Sequence, residues 1–157
     1  MEIIVRAATT ADRVDWVRMR HELWPDCPAE RHALEIEQLS APSAEGIVLL
    51  AVTNNGEACG FLEVSIRHDH VDGTKSVPVP YLEGWYVDPK FRGHGIGREL
   101  LKETELWALL HGYEELASDA ELEKAESIQA HLSCGFHETC RAVHFVKRIG
   151  PDLSLPS

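Results

Sequence analysis

Positive charge is scarce in this sequence. Fifteen lysines and arginines stand against 26 aspartates and glutamates, a formal net charge of −11 over 157 residues. A nucleic-acid partner needs a basic surface to meet its phosphates, so no such partner is expected. Long apolar runs are lacking too: no stretch approaches the roughly 20 residues that cross a bilayer. The opening Met1-Glu-Ile-Ile-Val-Arg6 is acidic and then briefly apolar, unlike a secretory signal. The chain is therefore expected in the cytoplasm, with no membrane partner. Cysteine is sparse: Cys27, Cys59, Cys134 and Cys140 show no Cys-x-x-Cys spacing, and in a reducing compartment they are expected as free thiols. No internal repeat, low-complexity tract or linker interrupts the chain.

What remains is 44% hydrophobic and 26% charged residues, the balance of a folded globular domain large enough to bury a core. One domain is expected over residues 1–149, with 150–157 as a flexible tail. The acid surplus suits a cationic ligand, because a cleft lined with one sign of charge concentrates the other. It also simply keeps a protein soluble, and charge alone leaves both readings open.

The apolar pattern predicts the elements. Residues 2–8 read as a strand. Thr9 with Asp12 three residues on is a capping signal, followed by a helix with Val14, Val17 and Trp24 on one face, stopped by Pro25. A second helix is predicted from Pro28 to Ser40, with Leu34 and Leu39 as its apolar positions. Residues 47–52 and 59–67 read as strands around the Asn54-Asn55-Gly56 turn. A polar loop over 68–76 precedes a strand at 79–87. A helix over 95–111 presents Leu100, Leu101, Thr104, Trp107 and Ala108 on one face, and Gly112 suits its end. A short strand at 115–118, a helix at 125–134 closed by Gly135, and a last strand at 139–147 complete the order β-α-α-β-β-β-α-β-α-β. That order predicts an α/β fold, a mixed central sheet flanked by helices on both faces.

Chemistry concentrates after the strand ending in Val87. Asp88-Pro-Lys-Phe-Arg-Gly-His-Gly-Ile-Gly-Arg98 runs directly into a helix. Gly93, Gly95 and Gly97 allow a tight turn and close approach of backbone to a ligand. The helix start offers unpaired N–H groups and partial positive charge, and Arg92 and Arg98 add full charges. These features together make a cradle for a diphosphate. A Rossmann turn would lie early in a βαβ unit, and a Walker loop would carry Gly-Lys-Ser/Thr; neither holds here.

Arg92-Gly-His-Gly-Ile-Gly97, preceded by Val87-Asp-Pro89, resembles the Arg/Gln-x-x-Gly-x-Gly/Ala signature of the GNAT acetyltransferases, and Cys134-Gly-Phe136 resembles that family's closing Gly-Phe. The resemblance implies acetyl-CoA as cosubstrate and no metal. It implies that the diphosphate lies on the amides of Gly93, His94, Gly95, Ile96, Gly97 and Arg98 beside Arg92, with Lys124 also on the CoA side. The pantetheine arm would pair with the backbone of Trp85, Tyr86 and Val87, and an amide near Val87 would polarise the thioester.

Leu23-Trp24-Pro25, Ser65-Ile-Arg-His-Asp69, Leu82-Glu-Gly84 and Ala117-Ser-Asp119 are similar to one subfamily, the aminoglycoside 6′-N-acetyltransferases. This implies acetylation of a drug 6′-amine, conferring resistance, with Trp24, Glu83 and Asp119 in the drug pocket. His70 and Cys140 fall at pocket positions where the chain departs from the subfamily pattern. On the residues alone Trp24 also reads as packing and Asp119 as a helix cap. Strict alternation puts Val79, Tyr81, Glu83, Trp85 and Val87 on one face. A carboxylate among such neighbours needs a partner, which could be Arg67 or a charged ligand.

An amine attacks a thioester only when unprotonated, so Glu83, with Asp119 through water, is the candidate proton acceptor. Where many GNAT enzymes place a tyrosine, this chain has His131, a residue type that titrates near neutrality and is the candidate proton donor to the departing thiolate. Cys134 and Cys140 lack an obvious paired base, so direct attack is expected. His68, Asp69, His70 and Asp72 read as a solvated loop, not a metal site. In the subfamily that loop can reach a partner subunit, which implies a homodimer. Two other readings use the same cradle: acetylation of a polyamine, peptide N-terminus or small metabolite, and a non-catalytic CoA-binding module.

Overall fold

In the computed structural model, which describes residues 2–151, five strands form one sheet in the order β1-β2-β3-β4-β5. They are β1 (Ile3–Ala7), β2 (Ile47–Thr53), β3 (Ala58–Arg67), β4 (Val79–Val87) and β5 (Ala117–Ser118). Neighbours run antiparallel except β4 and β5, which are parallel, so the sheet is mixed as expected. The helices are α1 (Arg13–Leu23), α2 (Ala29–Ser40), α3 (Ile96–Leu110) and α4 (Ala125–Ser133). The expected tail lies outside the described residues from 152 onward.

The sheet divides two cores because alternate side chains point to opposite faces. Trp16, Met19 and Ile36 from α1 and α2 pack with Leu50, Phe61 and Tyr86 on one face. Ile96, Leu100 and Leu101 of α3 cover Leu49, Leu62, Val64 and Leu82 on the other, with Trp85, Cys134 and Phe136 at the margin. The predicted face of α3 is the buried one, with Trp107 partly covered. The predicted faces of α1 and α2 are only partly so: Val17, Trp24 and Leu39 pack at the margin of the core. Val14 is 82% and Leu34 55% exposed, while Trp16, Met19, Arg20, His32 and Ile36 are buried. The spacing 16, 19, 20, 23 is the i, i+3, i+4, i+7 stripe, and a buried arginine within it hides the stripe from an apolar count.

That arginine belongs to a polar group sealed between α1, α2 and the sheet. Arg20 Nε donates to Glu63 Oε2 at 2.7 Å, its Nη2 to Glu63 Oε1 at 3.0 Å, and its Nη1 meets His32 Nδ1 at 2.9 Å. Trp16 Nε1 donates to the same carboxylate at 2.8 Å. Arg20, His32 and Glu63 are each at most 3% exposed, so the charges of Arg20 and Glu63 have no solvent to fall back on.

The strand predicted at 139–147 does not form. Its apolar side chains lie outward, Phe145 at 91% and Val146 at 98% exposed, with no strand alongside to complete a ladder. Apolar, β-branched composition makes a segment capable of a strand, but a strand needs a neighbour. Among the described residues no helix is long and apolar enough to cross a membrane. The four cysteines are free, and burial first, then Asp88, pushes the Cys59 thiol up to about 11.

Candidate active site

The glycine loop leaves the C-terminal end of β4. Gly93 and Gly95 adopt φ of 83° and 79°, a left-handed conformation that other residues avoid, and a Cβ at either would meet nothing within 4 Å. Conformation, not crowding, demands glycine there, and the space above the loop is open. Arg92 Nε donates to Val87 O at 2.8 Å and Trp85 Nε1 donates to Gly97 O at 3.0 Å, tying the turn to β4. His94 Nδ1 lies 3.0 Å from Phe91 O. Gly95 is the N-cap of α3 and supplies no side-chain cap, so the first-turn amides are left for an anion. Arg98 Nη2 reaches Ser133 O at 3.2 Å, and Lys124 is exposed at the start of α4. Open backbone, a long helix's positive end and two arginines fit a diphosphate.

Beside this cradle the sheet splits. β4 and β5 pair at only two steps, Tyr81 with Ala117 and Leu82 with Ser118. From Glu83 to Val87 the β4 edge that faces away from β3 has no strand on it. A wedge therefore opens from Ser118 toward the glycine loop, with unpaired backbone groups along one wall.

Register explains where the acid stands. Glu63 pairs with Gly84 and Val64 with Leu82, so Glu83 is an extra residue in β4, a bulge. Strict alternation fails at that point: Leu82 and Trp85 share the α3 face, while Tyr81, Gly84 and Tyr86 face α1 and α2. Glu83 is exposed and its carboxylate is taken by Ser65 Oγ at 2.6 Å, Arg67 Nε at 3.1 Å and Arg67 Nη2 at 2.9 Å. Of the two partners left open by the sequence, Arg67 is present. Its guanidinium also lies 3.7 Å from the centre of the Tyr81 ring.

The Tyr81 hydroxyl donates to Asp119, at the end of β5. Burial and that carboxylate together push the phenol well above its ordinary range. Trp24 caps α1 and is half-buried. Its indole stacks on His32 at 6.4 Å, lies edge-on to Phe61 at 6.1 Å and abuts Gly84. Trp24 against Gly84, Glu83 with Arg67, Arg67 over Tyr81 and Tyr81 with Asp119 thus form one chain of contacts along β4. Arg67 was expected only as a possible partner of Glu83, and Tyr81 was not among the predicted site residues; its contact with Asp119 depends on the pairing of β4 with β5, which a single sequence does not display.

His131 sits on α4 between Trp85 and Phe136, with ring centres at 5.3 and 5.0 Å. Its Nδ1 lies 2.7 Å from Ser127 O and its Nε2 2.7 Å from Ser118 Oγ. His70 is exposed in the 68–76 loop, its Nε2 4.0 Å from Asp72. Cys140 is exposed on the chain after α4. The structure does not bring these two onto the Trp24–Asp119 surface. Gly73 does meet Thr139, which holds the loop and that chain together. Among the described residues no cluster of His, Cys, Asp or Glu is placed to hold a metal ion.

Residues 15–136 match the acetyltransferase (GNAT) family. The chain belongs to the GNAT family. An aminoglycoside N(6′)-acetyltransferase type 1 from Stenotrophomonas maltophilia is 46% identical over 94% of this chain and 95% of its own length. One of the same description from Klebsiella aerogenes is 44% identical over 92% and 95%. Among solved structures, the aminoglycoside 6′-N-acetyltransferase AAC(6′)-Ih from Acinetobacter baumannii superposes with a TM-score of 0.86 at 38% identity, covering 95% of this chain and all of that one. AAC(6′)-Iy, solved with the bisubstrate analogue CoA-S-monomethyl-acetylneamine, gives 0.87 at 33% identity, covering 94% and 99%. This GNAT chain thus shares its length, and not only its glycine loop, with enzymes of one description.

Proposed function

We propose that this GNAT chain transfers the acetyl group of acetyl-CoA to the 6′-amine of aminoglycosides by direct attack, conferring resistance, and that it does so in the cytoplasm as a homodimer. One observation supports the reading: a chain of contacts runs from Trp24 at Gly84, through Glu83, Arg67 and Tyr81, to Asp119. An acidic wall with an aromatic floor suits a polycationic, ring-shaped ligand, and the net charge of −11 concentrates such ligands from solution. Relatives at up to 46% identity carry that activity in their names.

Acetyl-CoA, when bound, supplies an activated acyl group and a leaving thiol. The amides of 93–98 with Arg92, Arg98 and Lys124 hold the diphosphate, and the backbone of Trp85, Tyr86 and Val87 receives the arm. Glu83 is engaged by Arg67, so it first acts as an anchor: a drug ammonium competes with the guanidinium for the carboxylate. Asp119, holding the Tyr81 hydroxyl, presents its remaining lone pairs to a second ammonium. A proton leaves the 6′-ammonium to this acidic pair, directly or through water, before the amine attacks. His131 serves the departing sulphur.

The test is thiol release from acetyl-CoA with kanamycin, tobramycin, amikacin, spermidine and a peptide amine, plus a kanamycin carrying hydroxyl in place of the 6′-amine. Turnover with kanamycin and none with the 6′-hydroxy analogue is expected. Turnover of spermidine or peptide alone would move the activity to another amine. Acetyl-CoA binding without any turnover would leave a binding module.

A further inference from the structure

We propose that Ser118 is the group through which His131 protonates the leaving thiolate. The inference rests on the acetyl-transfer reading and goes beyond it, because the histidine alone cannot do the work. A carbonyl only accepts, so Nδ1 of His131, 2.7 Å from Ser127 O, carries a hydrogen and is closed to other partners. The ring meets Trp85 and Phe136 in T-shaped contacts. Nε2 is the remaining exit, and it is occupied by Ser118 Oγ at 2.7 Å. Any proton that His131 gives to the site passes through that hydroxyl.

The serine stands at the right place in the sheet. It forms the last paired step of β5 with β4, opposite Leu82, where the wedge begins. Four residues separate Leu82 from Val87 and one of them is the Glu83 bulge, so the span is four ladder steps, about 13 Å at the usual strand rise. An arm anchored at the loop and laid along β4 points its far end at this vertex. Asp119, the next residue, faces the acceptor surface, so successive residues of β5 serve the two ends of the reaction.

The protons balance. With His131 neutral, the Ser118 hydroxyl donates to Nε2 and is unavailable. With His131 protonated, Nε2–H donates to Oγ, and the hydroxyl hydrogen turns toward the wedge. As the carbon–sulphur bond breaks, the electron pair stays on sulphur, the Ser118 hydrogen moves to it, and the Nε2 hydrogen moves to Oγ. Ser118 ends as it began and His131 ends neutral, to be recharged from solvent. The Leu82 carbonyl, 3.4 Å from Oγ, is a second acceptor for that hydroxyl.

Two measurements test this. In steady state, with whichever amine the enzyme turns over, Ser118→Ala should lower kcat about tenfold or more. The KM for acetyl-CoA should stay within about twofold. At alkaline pH kcat should fall in the parent and in Ser118→Thr, and should not fall in Ser118→Ala or His131→Gln. The second measurement needs no acceptor: nitrogen NMR of the histidine-labelled CoA complex. At alkaline pH His131 should carry its hydrogen on Nδ1, and Ser118→Ala should shift Nε2 while leaving that tautomer unchanged. A Ser118→Ala enzyme that keeps its alkaline limb, at any kcat, overturns the proposal. So does an Nε2 resonance indifferent to the substitution. If kanamycin is not a substrate, the drug reading falls while the nitrogen spectra still decide the role of Ser118.

Discussion

At the scale of single residues, the site depends on a glycine whose reason is another side chain. Gly84 has ordinary φ, so conformation does not require it. A Cβ there would stand 2.6 Å from Trp24 Cη2 and 3.3 Å from the Phe61 ring. An indole fixed by His32, Phe61 and the Arg20 guanidinium, 4.8 Å from its centre, has little room to retreat. Gly84→Ala should therefore push Trp24 off its seat. We expect the KM for kanamycin to rise about tenfold, the value of about 1.4 kcal/mol of lost contact, with the KM for acetyl-CoA unchanged. Equal KM values for kanamycin in variant and parent would show that Trp24 does not bind the drug. The glycine loop was legible in the sequence because Gly93, Gly95 and Gly97 have a local job. Gly84 was legible only as part of a string, because what it accommodates is 60 residues away.

At the scale of elements, what could be read were the local signals, and what escaped depended on pairing. Turn glycines, proline stops and apolar runs placed β1 to β5 and α1 to α4 close to their observed ends. The bulge at Glu83 did not show, since nothing in the letters Val79 to Val87 marks a break in a simple count of two, although a glycine inside a strand is a known companion of bulges. The buried face of α1 was misread because Arg20 is charged, and its Glu63 partner lies on another element. Thr9–Asp12 was read correctly, and the structure adds what it is worth. Asp12 accepts from Thr9 N at 2.7 Å and from Arg6 Nη1 and Nη2 at 2.8 Å each, joining the end of β1 to the start of α1. The Arg6 guanidinium above all holds the carboxyl down to about 2, against burial. A depressed acid stabilises the fold above its unfolded value and loses that contribution as pH falls toward its folded one. Asp12→Asn should thus cost about 2 kcal/mol at neutral pH. Melting curves of variant and parent should converge as pH drops from about 4 to about 2. Curves that stay parallel down to about pH 2 would mean that the Arg6 pair contributes nothing.

At the scale of the whole molecule, the segment expected as a last strand raises the question of what covers it. Val143, Phe145, Val146 and Ile149 are 73%, 91%, 98% and 94% exposed, four large apolar side chains within seven residues that single chains rarely leave to water. Arg141 is paired with Glu138, and Thr139 packs on Gly73, so the start of the segment is anchored to the 68–76 loop. A β-branched, aromatic segment of this kind gains most from a ladder partner, and a second copy of the chain presents an identical one. The expectation follows that Phe145 and Val146 are buried in the homodimer. Sedimentation equilibrium at micromolar concentration should give twice the chain mass. Phe145→Asp combined with Val146→Asp should give the chain mass, with cooperative melting retained because neither side chain belongs to the two cores. Gly73 of the loop that carries His70 touches Thr139, beside Cys140, so the double variant should also raise the KM for kanamycin if a partner completes the pocket. A parent protein that sediments as a single chain at every concentration would rule out the homodimer. The acidic surface of Trp24, Glu83 and Asp119 would then have to bind the drug unaided.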